Sequence, residues 1–73
     1  PNSPEEELHA LAPRLIEIAK MIVDGSSNKT IANHQGVTEN TIKTQVRRLY
    51  QKTGVSTRSQ FISKFLSPIR NME

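Results

Sequence analysis

Three glycines divide this chain into segments whose apolar residues recur at the spacing of a helix. Before Gly25, one helical face carries a stripe of apolar side chains: Leu11, Leu15, Ile18, Ala19 and Ile22. Gly36 and Gly54 follow two further segments, and no stretch shows the alternation typical of a strand. At 73 residues the chain is near the lower size at which one core folds unaided. The sequence therefore predicts a single all-α domain, built as a compact four-helix bundle.

The first two predicted helices have favourable N-terminal residues. Pro13 suits a first helical turn, where its missing N–H would be unpaired in any residue. Ser26 and Ser27 offer a cap for a second, short helix over residues 28–35. The pattern thus predicts two helices joined by a tight turn at Gly25.

Two longer helices are predicted in the second half of the chain. Thr38 is a good N-cap for a helix over residues 38–53, which Gly54 closes. The last helix begins at a capping box, in which we expect the Gln60 side chain to reach back to Thr57. Its predicted apolar face consists of Phe61, Ile62, Phe65 and Leu66.

The two ends of the chain are expected to lie outside the folded domain. Residues 1–10 contain Pro, Asn, Ser and three successive glutamates, a composition typical of a linker or a frayed helical lead-in. Pro68 is expected to stop the last helix, so the domain is predicted at 11–67 and a C-terminal tail at 68–73. Because the chain begins at Pro1 without methionine, we expect one domain of a longer protein.

The residue types present argue against catalysis, metal binding and membrane insertion. The chain has no cysteine and therefore no thiolate nucleophile or ligand, which also fits a reducing cytoplasm. His9 and His34 lie in different segments without a carboxylate cluster at ligand spacing. No apolar run reaches the roughly 18 residues of a membrane span. We expect no enzyme activity, no cofactor or metal and no membrane partner.

Charge is unevenly divided along the chain, whose net charge is +3. Residues 1–24 contain two basic and five acidic residues, whereas residues 25–64 contain seven basic residues and one acid, Glu39. Such a basic half is typical of a protein that binds a polyanion. A solvated basic face without a partner is the alternative that charge alone leaves open.

The helix at 38–53 sorts into distinct faces at about 100° per residue. The face predicted to pack on the core carries Ile42, Val46, Leu49, Tyr50 and Thr53. The opposite face carries Asn40, Lys43, Thr44, Arg47 and Gln51, and one flank carries Thr41, Arg48 and Lys52. Because this exposed face lacks the acids usual on a surface helix, it suits base edges in the DNA major groove, and its flanking cations suit phosphates.

The preceding segment completes a helix-turn-helix: a short helix, a turn at 36–37 and a capped basic helix. Asn28 and Lys29 stand at the start of the short helix, where side chains and free amides can meet a phosphate. Two other functions remain open. One is a protein-interaction module that docks on RNA polymerase or another partner, and the other is a sigma-factor-like promoter-reading domain.

Several joined motifs resemble the LuxR-type helix-turn-helix domain. They are SNKTIA at 27–32, GVTENTIKT at 36–44 and RLYQKTGV at 48–55, with LAPR at 11–14, DG at 24–25 and STR at 56–58. The resemblance covers about residues 11–66. It implies a four-helix output domain of a bacterial response regulator or quorum-sensing regulator, which binds promoter DNA as a dimer at inverted half-sites.

The resemblance also implies residue roles. Lys43, Thr44 and Arg47 would face bases. Phosphates or the groove edge would be contacted by Asn28, Lys29, Thr41, Gln45, Arg48 and Arg58, to which the flank geometry adds Lys52. A dimer interface on the last helix would involve Ser63, Lys64 and Phe65, although a domain this small also needs its phenylalanines in the core.

The resemblance implies further partners, and several positions depart from the family pattern, Leu15 and Ile16 among them. The expected partners are double-stranded promoter DNA, a second copy of the chain, RNA polymerase and an upstream sensory or receiver domain, all in the bacterial cytoplasm. Ala12 stands where a capping Thr or Ser is usual, so the first helix is expected to start less firmly. Gln35 replaces an apolar residue and thins the core, and Gln45 replaces a common histidine, so the half-site is expected to differ from those of relatives.

Overall fold

Five α-helices make up the part of the chain that the structure describes. The computed structural model describes residues 3–72, so residues 1–2 of the predicted lead-in and Glu73 of the predicted tail lie outside it. The helices are α1 (Pro4–His9), α2 (Pro13–Val23), α3 (Asn28–Gln35), α4 (Glu39–Thr53) and α5 (Arg58–Met72). No strand occurs within residues 3–72, and none of these helices is long and apolar enough to cross a membrane. The all-α prediction is confirmed, with five helices in place of four.

All five helices contribute to one apolar core. α2 packs on α4 and α5, α3 packs on α4, and α1 packs on α5 and α4. The apolar stripe predicted before Gly25 is buried in full, and Phe61 and Phe65 form an aromatic pair whose ring centroids are 4.8 Å apart. Such a pair contributes about 0.5–1.5 kcal/mol beyond the area it buries. The core thus fixes α4 from one side and leaves its other side to solvent.

α1 is a helix that the sequence analysis did not predict. The Ser3 hydroxyl accepts a hydrogen bond from the Glu6 N–H at 3.2 Å, and the Glu6 carboxylate accepts one from the Ser3 N–H at 3.3 Å. This capping box, Pro4 in the first turn and the acids near the N-terminus all favour a helix. Leu8 anchors it, with 0% of its side chain exposed. Residues 4–9 thus form an anchored helix where the sequence predicted a linker or a frayed helical lead-in, and the domain limits themselves remain a prediction.

The predicted stop of the last helix at Pro68 is also wrong, because α5 continues to Met72. A proline inside a helix loses one hydrogen bond and crowds the carbonyl four residues earlier, here that of Lys64. Burial of Pro68 and Ile69 in the core offsets that cost. Leu66, predicted on the buried face, is instead 40% exposed, because the buried face of α5 follows Phe61, Phe65 and Ile69.

The predicted caps of α3 and α4 are confirmed. The Ser27 hydroxyl accepts from the Thr30 N–H at 3.1 Å, and the Thr38 hydroxyl accepts from the Thr41 N–H at 3.2 Å. Between the two helices, Gly36 adopts φ +69°, a left-handed conformation that few other residues tolerate. The Gly36 turn therefore fixes the angle at which α3 meets α4.

Ala12 makes no side-chain cap at the start of α2, because alanine has no hydroxyl.

The cap of α5 differs in one detail from its predicted geometry. The Thr57 hydroxyl accepts from the Gln60 N–H at 3.1 Å, as expected. The Gln60 side-chain oxygen accepts from the Ser56 N–H at 2.8 Å rather than from Thr57, and it so orders the residue that precedes the cap.

Candidate nucleic-acid interface

α4 presents its buried and exposed faces as its helical period predicts. Ile42, Val46, Leu49 and Thr53 are buried, and the Thr53 hydroxyl donates to the Leu49 carbonyl at 2.8 Å. Tyr50, predicted with this set, is only half-buried and lies at its rim. The opposite face is exposed along its whole length: Asn40, Lys43, Thr44, Arg47 and Gln51.

The three predicted base-facing residues share one exposed surface. Lys43 and Arg47 are one helical turn apart, so their cationic groups project from the same side. The Thr44 hydroxyl donates to the Asn40 carbonyl at 3.2 Å, which leaves its oxygen lone pairs as an acceptor towards solvent. This surface offers both donors and an acceptor to a partner, as the readout of base edges requires.

The predicted phosphate-facing residues of α4 lie beside that surface. Thr41, Arg48 and Lys52 are exposed on one flank, and Gln45 is half-buried between this flank and the core. The Thr41 hydroxyl lies 3.0 Å from the Thr38 hydroxyl and so belongs to the cap of α4 as well. The flank is cationic without a carboxylate among these residues.

Arg58 lies against α3 rather than in open solvent. Its Nη1 donates to the Asn28 Oδ1 at 3.1 Å, and its Nη2 donates to the Ser26 carbonyl. The guanidinium therefore joins the start of α5 to the start of α3, where Asn28 and the exposed Lys29 lie. Arg58 and Asn28 were each predicted to contact phosphates, and their pairing with each other was not predicted.

A shallow cavity of about 380 Å³ connects the start of α3 with α4 and with the turn before α5. It is lined by Asn28, Lys43, Val46, Arg47, Tyr50 and Ser56. Tyr50 and Ser56 were not predicted from the sequence as members of this surface. The signal for Tyr50 was its angle, since it falls only about 20° from Lys43 on the helical projection.

The Tyr50 hydroxyl remains protonated at neutral pH. Burial raises the pKa of Tyr50 above its ordinary value of 10.0, and the positive charge of Arg58 offsets part of that rise. The ring packs on Phe61, with centroids 5.7 Å apart. Tyr50 thus brings a hydrogen-bond donor on a fixed ring to the cavity.

The residues predicted for a dimer interface differ in what they expose. Ser63 is exposed, but Lys64 pairs with Glu7 at 3.1 Å and donates to the Thr53 carbonyl at 2.6 Å. Phe65 is 0% exposed, so its ring cannot contact a second copy, and its place in the predicted interface is corrected to the core. The physical reason is the one expected for so small a domain, which needs its aromatic rings inside.

A second cavity, of about 570 Å³, lies between the start of α2 and the end of α3. It is lined by Pro13, Arg14, Glu17, His34 and Gln35. The Gln35 Nε2 donates to the Arg14 carbonyl at 3.4 Å, but its buried Oε1 has no partner among residues 3–72. Gln35 therefore fills a packing position with an unsatisfied polar atom.

A capped helix with an exposed basic face, preceded by a short bracing helix and a left-handed glycine turn, defines a helix-turn-helix DNA-binding domain. The comparison with known families is consistent with this class. The model for bacterial regulatory proteins of the luxR family matches residues 9–65. The chain belongs to this family, whose domains bind DNA and are not enzymes.

The curated relatives are transcriptional regulators. The chain is 33% identical over 66 residues to a probable transcriptional regulatory protein, SgaR, of Hyphomicrobium methylovorum, covering 90% of this chain and 31% of that protein. It is 35% identical over 65 residues to the monoamine regulon transcriptional regulator of Klebsiella aerogenes, covering 88% and 29%. It is 41% identical over 54 residues to the HTH-type transcriptional regulator MalT of Yersinia pestis, covering 74% and 6%. The chain thus spans less than a third of each relative, and no solved structure matches it.

Proposed function

We propose that this DNA-binding regulator domain recognises promoter DNA by inserting α4 into the major groove. Lys43 and Arg47 donate to guanine O6 and N7, and the Thr44 hydroxyl meets an adjacent base edge. The observation that carries the proposal is the exposed face of α4, which is cationic and polar and lies opposite the face that packs on the core.

The backbone contacts follow from the same placement of α4. On one flank of α4, phosphates or the groove edge are contacted by Arg48, Lys52, Thr41 and Gln45. At the start of α3, they are contacted by Asn28 and Lys29. These contacts set the register of α4 on the duplex, whereas the base-facing residues determine the preferred sequence.

The domain acts as a homodimer on inverted half-sites, with the exposed side of α5 around Ser63 between the two copies. Its place in a longer cytoplasmic regulator, with an upstream sensory or receiver domain and a contact to RNA polymerase, is proposed by analogy. The support is that the chain spans less than a third of relatives that are themselves transcriptional regulators.

Selection of duplexes from a random library, followed by affinity measurements at several salt concentrations, tests the proposal. The selected duplexes should share a motif, and the affinity should fall steeply as salt rises, in proportion to the phosphates contacted. An affinity without a preferred motif would contradict base recognition. Failure to bind any duplex, with salt-insensitive binding to RNA polymerase instead, would favour a protein-interaction module.

A further inference from the structure

We propose that Arg58 is a positioning residue that aims the Asn28 side chain at a DNA phosphate, and that it is not itself a phosphate ligand. The inference rests on the proposed DNA binding and assigns within it a role that differs from the direct contact first expected of Arg58.

The hydrogen bonds of Arg58 carry the first step. Its Nη1 donates to the Asn28 Oδ1 at 3.1 Å and its Nη2 donates to the Ser26 carbonyl, so two of its donor groups are used within the chain. Asn28 and Arg58 are 30 residues apart, and the pair is partly buried. By contrast, Arg47 and Arg48 are exposed, and within residues 3–72 neither guanidinium donates a hydrogen bond to the chain. Of these three arginines, Arg58 is therefore the one whose side chain is bonded within the chain.

The orientation of Asn28 follows from these contacts. Because a guanidinium can only donate, the Asn28 atom that faces it must be the amide oxygen. The amide nitrogen Nδ2 then turns away from Arg58, as a donor on a side chain that lines the cavity beside Lys43 and Arg47. A phosphate accepts hydrogen bonds and cannot donate them, so this orientation suits it and the flipped one does not.

Arg58 also acts on the acceptor at Ser26. The Ser26 carbonyl lies two residues before Asn28, at the approach to the N-terminus of α3. Left uncovered, its partial negative charge would oppose a phosphate at the same place. Since Nη2 donates to it, the start of α3 presents mainly donors: the Asn28 amide, Lys29 and the first backbone N–H groups.

A double-mutant cycle in DNA affinity tests this assignment. The 73-residue chain and the variants Arg58→Ala, Asn28→Ala and the double variant would be titrated into a labelled duplex of about three helical turns, selected with the unchanged chain. We expect Asn28→Ala to weaken binding about fivefold and Arg58→Ala to weaken it at least as much, because the Ser26 carbonyl is then uncovered as well; the double variant should bind no more weakly than Arg58→Ala. If the two effects on affinity multiplied, to about 25-fold weaker binding or more in the double variant, the two contacts would be independent and the proposal would be overturned.

The salt dependence of the affinity separates a positioning role for Arg58 from a direct contact of its guanidinium with a phosphate. If Arg58 paired with a phosphate, Arg58→Ala would reduce the slope of log affinity against log salt by about 0.9. The proposal expects an unchanged slope for Arg58→Ala and the reduced slope for Lys29→Ala. The double variant of Arg58→Ala with Lys29→Ala should be multiplicative, as a matched control for independence.

Arg58→Lys keeps the test decisive if Arg58→Ala does not fold, as thermal unfolding would report. Lysine retains the charge but lacks the planar fork that bonds Asn28 and Ser26 together, so we expect about fivefold weaker binding. Affinity equal to that of the unchanged chain would overturn the proposal. Arg47→Ala on the same duplex distinguishes failure of the proposed function from failure of the role of Arg58. If Arg47→Ala has no effect on binding, the proposed function is wrong. If it weakens binding and the cycle of Arg58 with Asn28 is multiplicative, only the role of Arg58 is wrong.

Discussion

Arg47 and Arg48 are neighbours in sequence, yet they lie about 100° apart around α4 and have different expected partners. We expect Arg47→Ala to cost about 1–3 kcal/mol on the selected duplex and to relax the preference at one base pair, because a bidentate contact with guanine is lost. We expect Arg48→Ala to weaken selected and scrambled duplexes alike and to reduce the salt slope. Competition binding with both duplexes measures the difference. Equal effects of the two variants on sequence preference would contradict the assignment of faces.

Tyr50 reports directly on the environment beside Arg58, because it is the single tyrosine of the chain. Burial raises its pKa above 10.0, so tyrosinate absorbance should appear at higher pH in the folded chain than in urea. The stability that the protonated Tyr50 hydroxyl contributes is fully present below the unfolded pKa of Tyr50 and is lost as the pH rises through its folded pKa. Arg58→Ala should raise the pKa of Tyr50 further, since the offsetting charge is removed. An unchanged pKa of Tyr50 in that variant would place the guanidinium away from the Tyr50 hydroxyl.

Helix by helix, the sequence predicted α2, α3 and α4 well and the ends of the fold poorly. Ser27, Thr38, Gly36 and Gly54 are local signals, and each acts in the structure as its own chemistry dictates. The capping box of Ser3 and Glu6 was a local signal for α1 that the sequence-based prediction overlooked, whereas the end of α5 is helical because Pro68 and Ile69 pack in the core. Such tertiary contacts leave no local signal, so Pro68 indicated a stop that packing overrides.

The anchor of α1 is a single leucine, and its removal measures what this helix contributes. Leu8→Ala should lower the free energy of unfolding by about 2–5 kcal/mol, because it leaves a cavity between α1 and α5. Urea denaturation followed by circular dichroism gives the value. Glu5→Ala on the exposed side of α1 is the control and should change stability by less than about 0.5 kcal/mol. A similar small effect for Leu8→Ala would mean that α1 is dispensable.

The contact of α3 with α2 carries an unsatisfied polar atom, the Gln35 Oε1. Gln35→Leu should raise the free energy of unfolding by about 1 kcal/mol, because a buried acceptor without a partner is replaced by an apolar group of similar size. The same denaturation experiment applies, with Gln51→Leu on the exposed face of α4 as the matched substitution. A loss of stability in Gln35→Leu would show that the 3.4 Å bond to the Arg14 carbonyl outweighs the unsatisfied oxygen.

At the scale of the whole molecule, the sequence predicted the surface of α4 but not the surface around it. The 3.6-residue period alone placed Lys43, Thr44 and Arg47 together on an exposed face. The pairing of Arg58 with Asn28, 30 residues away, depends on how α5 packs, and no local pattern indicates it. The predicted domain limits, 11–67, remain a prediction, and the packing of α1 and the end of α5 on the same core leads us to propose wider ones.

The central claim is that the exposed face of α4 meets DNA. A titration of the ¹⁵N-labelled chain with the selected duplex, followed by NMR, maps the contact residue by residue. We predict the largest amide shift changes at Asn40, Lys43, Thr44 and Arg47 and at the start of α3, with little change in α1 or at the end of α5. Changes concentrated in α1 or α5, with the exposed face of α4 unperturbed, would contradict the account.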